Sequence, residues 1–291
     1  MGHVALNAGI YLLSKLGMDA VAEFEATDLF DVDHVEVANG IVQPARRPRN
    51  RLFVWTDPNR TRDLVVFVGE AQPPLGKYPF CRQLIAQAQQ LGVERVFTFA
   101  AMATRMHPEH ESRVFAAATD QTNLEELKRL ELTVLEDGHI GGLNGVLLGA
   151  AAEAGLPGAC LLGEMPHVLA QLPFPKASLA ILEVFATMTN IDLDLTELAE
   201  QAHVVGEQLG ELLAQVEQQY GQQEPGGEEG YLPEPTDEER AAAADRDRID
   251  ELFSRAGQNR SKAFELKQEL DRLGLFKEYE DRFLDLFKKP D

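Results

Sequence analysis

The sequence predicts an α/β fold: a three-layer α/β/α sandwich with a mostly parallel sheet, followed by a short C-terminal helical tail. Two observations predict this class. From residue 64 onward, short runs of β-branched and other apolar residues alternate with longer stretches of helical pattern. Strand, helix and strand at this spacing are typical of right-handed crossovers, with helices on both faces of a sheet. Beyond residue 236, apolar residues recur in short groups at helical spacing.

The elements of the α/β region follow from these runs. Residues 64–68 (LVVFV) form a continuous apolar run, which is typical of a strand covered on both faces. Further strands are predicted over residues 93–99, 113–119, 132–135 and 159–163. Helices are predicted over residues 79–91, 123–130 and 177–189, and a glycine-rich turn at 138–145 opens another helix that ends near residue 154.

Acidic residues dominate the charge of the 291-residue chain. Lysine and arginine number 27 against 48 aspartates and glutamates, which gives a formal net charge of −21. A surface this negative repels phosphate backbones and anionic lipid, so we expect no nucleic-acid partner and no membrane partner. The acidity serves either plain solubility or the attraction of a basic partner.

The cysteine content and the apolar runs favour a cytoplasmic protein. Cys81 and Cys160 are the only cysteines, too few for a disulfide framework or a zinc knuckle. No apolar stretch approaches the roughly 20 residues that span a bilayer, and the first residues lack the basic and apolar regions of a signal peptide. Residues 107–111 (HPEHE) do not fit the HExxH pattern, and we interpret them as a solvated loop. No metal and no cofactor are predicted.

Two glutamates follow a glycine at the end of a predicted strand. Glu70 ends the run FVGE, and Glu164 ends the run LLGE. Ligands of open parallel sheets bind at the carboxyl ends of the strands, so we expect both carboxylates at one rim of a single sheet. There they could bind a cation or act as acid and base. The alternative is structural: each glutamate caps a helix or pairs with an arginine such as Arg105.

The glycine-rich turn at 138–145 (GHIGGLNG) is the third candidate element at this rim. Exposed backbone N–H groups at such a helix start can bind an anion. Gly141, Gly142 and Asn144, together with Gln72, therefore complete the candidate ligand-binding set. The turn matches neither the phosphate-loop pattern nor GxGxxG, and its glycines could instead serve tight turning and close packing alone. No catalytic residue is assigned, because the chain has no GxSxG elbow and neither cysteine carries the sequence cue of a His-paired nucleophile.

A narrow apolar seam runs along a further predicted helix. Its members alternate by four and three residues, the 3.5-residue period of coiled coils and helix hairpins: Leu198, Ala202, Val205, Leu209, Leu212 and Val216. Fewer than three heptads do not form a stable helix alone, so the seam must pack on the body of the chain or on a second subunit. We take its last four members, from Val205 to Val216, as candidate partner-binding residues.

Composition divides the chain into three regions. Residues 1–220 form the predicted α/β domain. Residues 221–235 (GQQEPGGEEGYLPEP) mix glycine, proline and glutamate without apolar periodicity, which indicates an acidic linker. Residues 236–291 begin with the capping-box sequence TDEE and predict two or three short helices. The large apolar residues of this tail need burial against the main body or against a partner.

Motifs in this order resemble the proteasome assembly chaperone family, in its archaeal and bacterial branch. The motifs are MGHVA at 1–5, GEAQP at 69–73, RVFA at 113–116, GGLNGVLLG at 141–149 and LLGE at 161–164. Together with the stretch 181–198, the resemblance covers about residues 1–205.

The resemblance implies a phosphorylase-like α/β/α fold, oligomers and protein partners, since characterised members guide the assembly of proteasome α-rings. The archaeal type docks through a C-terminal tail with a hydrophobic residue and a penultimate tyrosine, a pattern from which the final residues FKKPD depart. Family members usually open with an apolar strand that is missing here. We therefore expect a sheet short by one strand, or a gene start upstream of Met1.

Two functions follow as hypotheses. The first is a non-enzymatic, homo-oligomeric scaffold that binds protein partners, which the resemblance, the seam and the lack of a catalytic set favour. The second is a small-molecule enzyme or sensor that binds a nucleoside, a phosphate or a cation through Glu70, Glu164 and the turn at 141–145.

Overall fold

The computed structural model describes residues 1–24, 29–30, 35, 37–38, 40–44, 47–220 and 238–288, and only the backbone of residues 38, 216–220 and 238–247. The predicted linker at 221–235 lies outside these residues. The architecture is α/β with a helical tail, as predicted. Two sheets and a small hairpin carry the strands of this part of the chain.

The chain begins with a buried helix, α1 (Val4–Lys15). Ile10, Tyr11 and Leu13 are fully buried in it, since apolar side chains line almost its whole circumference. Helix α1 packs on a later helix, on the long strand β6 and on the tail. This helix was not predicted from the sequence, because an all-round apolar pattern lacks the 3.6-residue alternation by which a helix is usually recognised.

A three-stranded antiparallel sheet follows. It consists of β1 (Asp19–Glu23), β4 (Asn50–Trp55) and β5 (Leu64–Gly69) in the order β1–β4–β5, while β2 (Val37–Ala38) and β3 (Ile41–Val42) form a separate hairpin. Strands β4 and β5 pair from Asn50 opposite Gly69 to Trp55 opposite Leu64. Only β5 was predicted from the sequence, and its neighbours β1 and β4 were missed.

The second sheet has four strands: β6 (Val96–Thr104), β7 (Val114–Ala118), β8 (Thr133–Val134) and β9 (Gly158–Pro166), in the order β6–β9–β7–β8. The pairs β6–β9 and β7–β8 are parallel, and β7 runs antiparallel to β9. Strand β7 reverses direction because a short connection without a crossover helix joins it to β6. All four strands lie where the sequence predicts strands.

Helices cover both faces of the four-stranded sheet, as expected for a sandwich. Helices α2 (Lys77–Gln90) and α4 (Gly142–Glu153) pack together, and α4 lies on β6 and β9. On the other side α1 and α5 (Pro175–Thr189) contact the same two strands. Helix α3 (Gln121–Arg129) lies beside β7, and α6 (Thr196–Tyr220) packs on α5.

The predicted tail is helical and packs on the main body. It consists of α7 (Glu238–Gln258), α8 (Ala263–Arg272) and α9 (Phe276–Asp285). Its buried apolar side chains belong to the same core as those of α1 and β4. The burial that the sequence required is therefore provided by the chain itself.

Candidate functional site

Glu164 lies in β9 and is only 2% exposed. Arg113 donates to both of its carboxylate oxygens, from Nε at 2.8 Å and from Nη2 at 2.7 Å. The Thr104 hydroxyl donates to Oε1 at 2.7 Å. Hydrogen bonds from Arg113 hold the pKa of Glu164 below its usual value. The carboxylate is thus ionised and engaged on both oxygens, which leaves it poorly suited to accept or release a proton during a reaction.

The loop 105–111, between β6 and β7, borders a cleft of about 360 Å³ beside Glu164. The cleft is lined by Thr104, Arg105, Met106, His110, Glu111, Arg113 and Glu164. The buried Lys176 of α5 fixes this loop, since its Nζ donates to the carbonyl oxygens of Pro108 at 2.9 Å and Glu109 at 3.0 Å. The structure therefore agrees with the structural alternative, in which Glu164 pairs with an arginine. The partner is Arg113 and not the expected Arg105.

The Glu164–Arg113 pair predicts a specific acid sensitivity. The folded pKa of Glu164 is depressed from 4.5, so its stabilisation is fully present above that pH and is lost as the pH falls through the folded pKa. We expect Glu164→Gln to lower the free energy of unfolding at pH 7 and to reduce its loss between pH 5 and pH 3, which urea denaturation measures. Glu200→Gln is the control on an exposed position of α6. An acid profile unchanged by Glu164→Gln would contradict the prediction.

Glu70, which follows β5, accepts hydrogen bonds from two other arginines. Its Oε1 accepts from Arg51 Nη1 at 2.8 Å, and its Oε2 accepts from the Arg49 backbone N–H at 2.9 Å. Its backbone carbonyl oxygen contacts Lys277 Nζ, from the tail. Glu70 therefore joins the three-stranded sheet to α9.

The two glutamates do not share a sheet. Glu70 follows β5 of the antiparallel sheet, whereas Glu164 lies in β9 opposite Met102 of β6. The expectation that both emerge at one rim of a single parallel sheet is wrong. The physical reason is local: residues 56–63 connect β4 directly to β5, and so short a connection favours antiparallel pairing of those strands.

The glycine-rich turn is a packing device. A Cβ at Gly145 would lie 2.0 Å from the Ile140 carbonyl oxygen, so only glycine fits there. Gly142 has φ +76°, a backbone conformation that favours glycine. The Leu143 N–H at the start of α4 donates to Gln72 Oε1 at 3.2 Å. One donor that an anion could use is thereby taken by the chain.

The structure brings part of the predicted ligand-binding set together. Gln72 lies beside Gly142 and bonds the backbone of Leu143. The Asn144 side-chain amide donates to the carbonyl oxygen of Phe99, which lies within β6. Gly141 is the residue before the first turn of α4. Glu70 and Glu164 are each engaged by their own arginine instead. The described residues contain no group of three or more histidine, cysteine, aspartate or glutamate side chains that could bind a metal ion.

The seam of α6 divides into a buried and an exposed part. Leu198, Ala202 and Leu209 are buried within this chain, and Val205 is half-buried. Leu212 is 45% exposed. Val216 belongs to α6, but its side chain lies outside the described part of the structure. The first four of its six members therefore pack on the body, which is one of the two alternatives that the sequence left open.

The charge cluster between Arg49, Arg51 and the tail was not recognised from the sequence. Arg51 is 1% exposed and contacts Asp281, and its Nη2 lies 3.5 Å from Asp285 Oδ1. Burial lowers the pKa of Arg51. The sequence did contain a signal for the acidic half of this cluster, because Asp281 and Asp285 are one helical turn apart and therefore share a helix face. Their partners, more than 200 residues earlier, had no comparable pattern.

A family model describes most of this chain. The model of the PAC2 family matches residues 1–213. The chain belongs to the PAC2 family. The match covers the α/β body through most of α6, and the tail helices α7–α9 lie beyond it.

Solved structures of this PAC2 protein's relatives share its fold. A PAC2 family protein of Streptomyces avermitilis is 27% identical with a TM-score of 0.63, covering 76% of this chain and 94% of that one. PbaB of Pyrococcus furiosus, an archaeal proteasome activator, is 27% identical with a TM-score of 0.61, covering 75% and 89%. A proteasome-assembly chaperone homologue of Mycobacterium tuberculosis, 22% identical with a TM-score of 0.64 over 73% and 90%, shows the fold alone.

A relative known by sequence is an uncharacterised protein of Methanocaldococcus jannaschii. It is 30% identical over 144 residues, which is 48% of this PAC2 chain. The match spans 54% of that relative, so about half of its length is compared. Among the described residues of this PAC2 protein, no helix is both long and apolar enough to cross a membrane.

Proposed function

We propose that this PAC2 protein is a non-enzymatic, cytoplasmic, oligomeric scaffold that binds protein partners in the manner of proteasome assembly chaperones. One observation carries the proposal: Glu70 and Glu164, the two candidate acid–base groups, are both engaged by arginines of the same chain. Neither is free to take part in a reaction, so the carboxylates serve the fold. Relatives that include a proteasome activator support protein partners rather than a small substrate.

Exposed branched apolar side chains support protein contacts. On the β2–β3 hairpin, Val37, Ile41 and Val42 are each more than 60% exposed. On α6, Leu212 extends the seam past the point at which the body covers it. Because a 3.5-residue seam fits a second helix of the same kind, we assign the Leu212 end of α6 to self-association, with Val216 next along the seam.

The end of the described tail is not exposed for docking to a partner. Phe287 is fully buried and packs against Phe53 with ring centroids 6.1 Å apart. A docking residue must be exposed to enter a partner's pocket. We therefore place partner binding on the body and α6.

Self-association predicts a defined effect of one substitution. We expect Leu212→Asp to convert the oligomer to monomer at micromolar concentration, because a charge at the seam cannot be paired by the same seam of a second copy. Size-exclusion chromatography with light scattering measures the mass. Val204→Asp is the control, since Val204 is 50% exposed on the same helix but lies off the seam. A wild-type chain that is already a monomer would overturn the oligomeric proposal.

The alternative is a small-molecule site in the cleft beside Glu164. Its supporting observation is that Arg105, Arg113 and Thr104 line one cleft of about 360 Å³. A thermal-shift screen with nucleosides, inorganic phosphate and divalent cations separates the two functions. If no compound raises the melting temperature, the enzyme or sensor reading is excluded in favour of the scaffold.

A further inference from the structure

The tail helices occupy a groove on the body, which we call the tail groove. It is defined by Tyr11 of α1, Ala20 of β1 and Arg49, Arg51 and Phe53 on or beside β4. Phe264 of α8 packs edge-on against Tyr11, with ring centroids 4.5 Å apart. Phe287 packs edge-on against Phe53. Aromatic side chains of α8 and of the C-terminal end of the tail therefore anchor it.

The end of the tail also extends the antiparallel sheet. The Ala20 N–H donates to the Phe287 carbonyl oxygen at 2.6 Å, and Ala20 pairs with Lys288 as a parallel bridge. Strand β1 is an edge strand of its sheet, and this contact covers part of that edge. Added backbone pairing of this kind is one of the recurrent modes by which proteins bind peptides.

Charge complementarity selects what the groove accepts. Arg49 Nη1 lies 2.7 Å from Asp281 Oδ1, and Arg51 contacts the same carboxylate. Asp285, one turn later, lies 3.7 Å from Arg49 and 3.5 Å from Arg51. Two arginines of the body thus receive two carboxylates on one face of α9. Within the body, Arg51 also pairs with Glu70 and Arg49 with Glu23, so Asp281 and Asp285 add counter-charge to guanidinium groups that already have one partner each. An occupant without acidic groups would desolvate these guanidinium groups without supplying that additional charge, so the groove favours an acidic occupant.

A buried cation also lies on α8 itself, on the side that faces α1 of the body. Lys267 is 1% exposed, its Nζ donates to Asn7 Oδ1 of α1 at 2.9 Å, and it also contacts Asp271. Such polar contacts contribute less to affinity than to the choice of partner, because each charge loses its hydration on burial. The tail is held in a selective site rather than on a uniform apolar surface.

We propose that the tail groove is a docking site for an amphipathic helix that carries two carboxylates one turn apart beside phenylalanines, and that the chain's own tail occupies it as a competitor in cis. The family match ends at residue 213, so the groove belongs to the PAC2 body and its occupant does not. This inference rests on the proposed function, because it states the chemistry of a protein partner.

Competition by a free peptide tests the proposal in the full-length chain. The probe is a fluorescent peptide of residues 263–288, and anisotropy measures its binding. We expect weak binding to the wild type, whose groove is filled. The double variant of the chain, Asp281→Asn with Asp285→Asn, should weaken the docking of its own tail in the groove. We expect the affinity of this variant for the peptide to rise about tenfold or more. Each tenfold rise corresponds to about 1.4 kcal/mol of lost free energy of tail docking.

Matched controls separate recognition from general loosening. Glu278→Gln removes a charge from the exposed side of the same helix and should leave peptide affinity at the wild-type value. A peptide that itself carries Asp281→Asn and Asp285→Asn should bind the double variant about tenfold more weakly than the native peptide. If the double variant does not fold, the single variant Asp285→Asn is used for the same comparison. The Asp285 carboxylate lies farther from Arg49 and Arg51 than that of Asp281, so its loss should disturb folding less.

Two results would overturn the proposal: equal peptide affinity of the double variant and Glu278→Gln, or equal affinity of the native and the substituted peptide. Neither result touches self-association. The Leu212→Asp experiment reports mass rather than peptide binding, so failure of the groove and failure of the oligomeric scaffold are recognised separately.

Discussion

Replacing Phe283 with alanine is expected to lower the free energy of unfolding by about 3–5 kcal/mol, the usual loss when a buried phenylalanine is truncated. Phe283 is fully buried in α9. Its ring lies 5.6 Å from that of Phe276 and 5.9 Å from that of Phe287. These three rings attach the tail to the core that contains α1. Urea denaturation followed by circular dichroism measures the change.

The shape of this transition is as informative as its midpoint. A tail that shares the core of the body should unfold with it, in a single transition for both wild type and variant. Leu75→Ala is the control, since Leu75 is 81% exposed and its truncation should change stability by less than about 0.5 kcal/mol. A Phe283→Ala variant as stable as this control would show that the tail does not contribute to the stability of the body.

Replacing Arg51 with methionine is expected to cost about 3–5 kcal/mol, because it leaves the nearly buried carboxylate of Glu70 without its guanidinium partner and leaves Asp281 with Arg49 alone. Glu70 and Asp281 both contact the Arg51 guanidinium, and the Arg51 side chain is only 2% exposed. Methionine keeps much of the volume, so the loss reports the charge more than a cavity. Thermal and urea unfolding at pH 7 provide the measurement.

Two further variants define the cause of that loss. Arg82→Met removes an exposed arginine from α2 and should change stability by less than about 0.5 kcal/mol. Adding Glu70→Gln to Arg51→Met should recover part of the lost stability, because it removes one of the stranded charges. If the double variant is as unstable as the sum of the single variants, the pair does not interact and the cluster is misassigned.

The tail connects these predictions to function. Phenylalanines provide most of its burial, whereas the arginine cluster provides the selectivity that the proposed docking site requires. Loss of Phe283 should therefore weaken docking of the chain's own tail without changing which charges the groove prefers. Loss of the carboxylate contacts should instead affect the choice of occupant, because Asp281 and Asp285 add counter-charge to Arg49 and Arg51 beyond that of Glu23 and Glu70.

Local patterns along the chain determined the α/β class, the four strands of the second sheet and the helices α2 to α6. Each of these elements carries its own signal, such as the apolar run at 159–162 in β9 or the glycine that ends α2, and a local signal does not depend on what the element packs against. The tail helices were predicted for the same reason. Helix α1 was missed because its apolar side chains surround it.

Tertiary structure alone decided which residues meet. Glu164 bonds Arg113, 51 residues away, and Asp281 contacts Arg51, 230 residues away, while no local pattern links either pair. It also decided that β5 joins the antiparallel sheet, which separates Glu70 from Glu164. Sequence periodicity indicates which face of an element is buried, but packing of the whole chain decides which element lies across that face. For charged residues the requirement is strict, because a charge can be buried only where the fold provides its counter-ion.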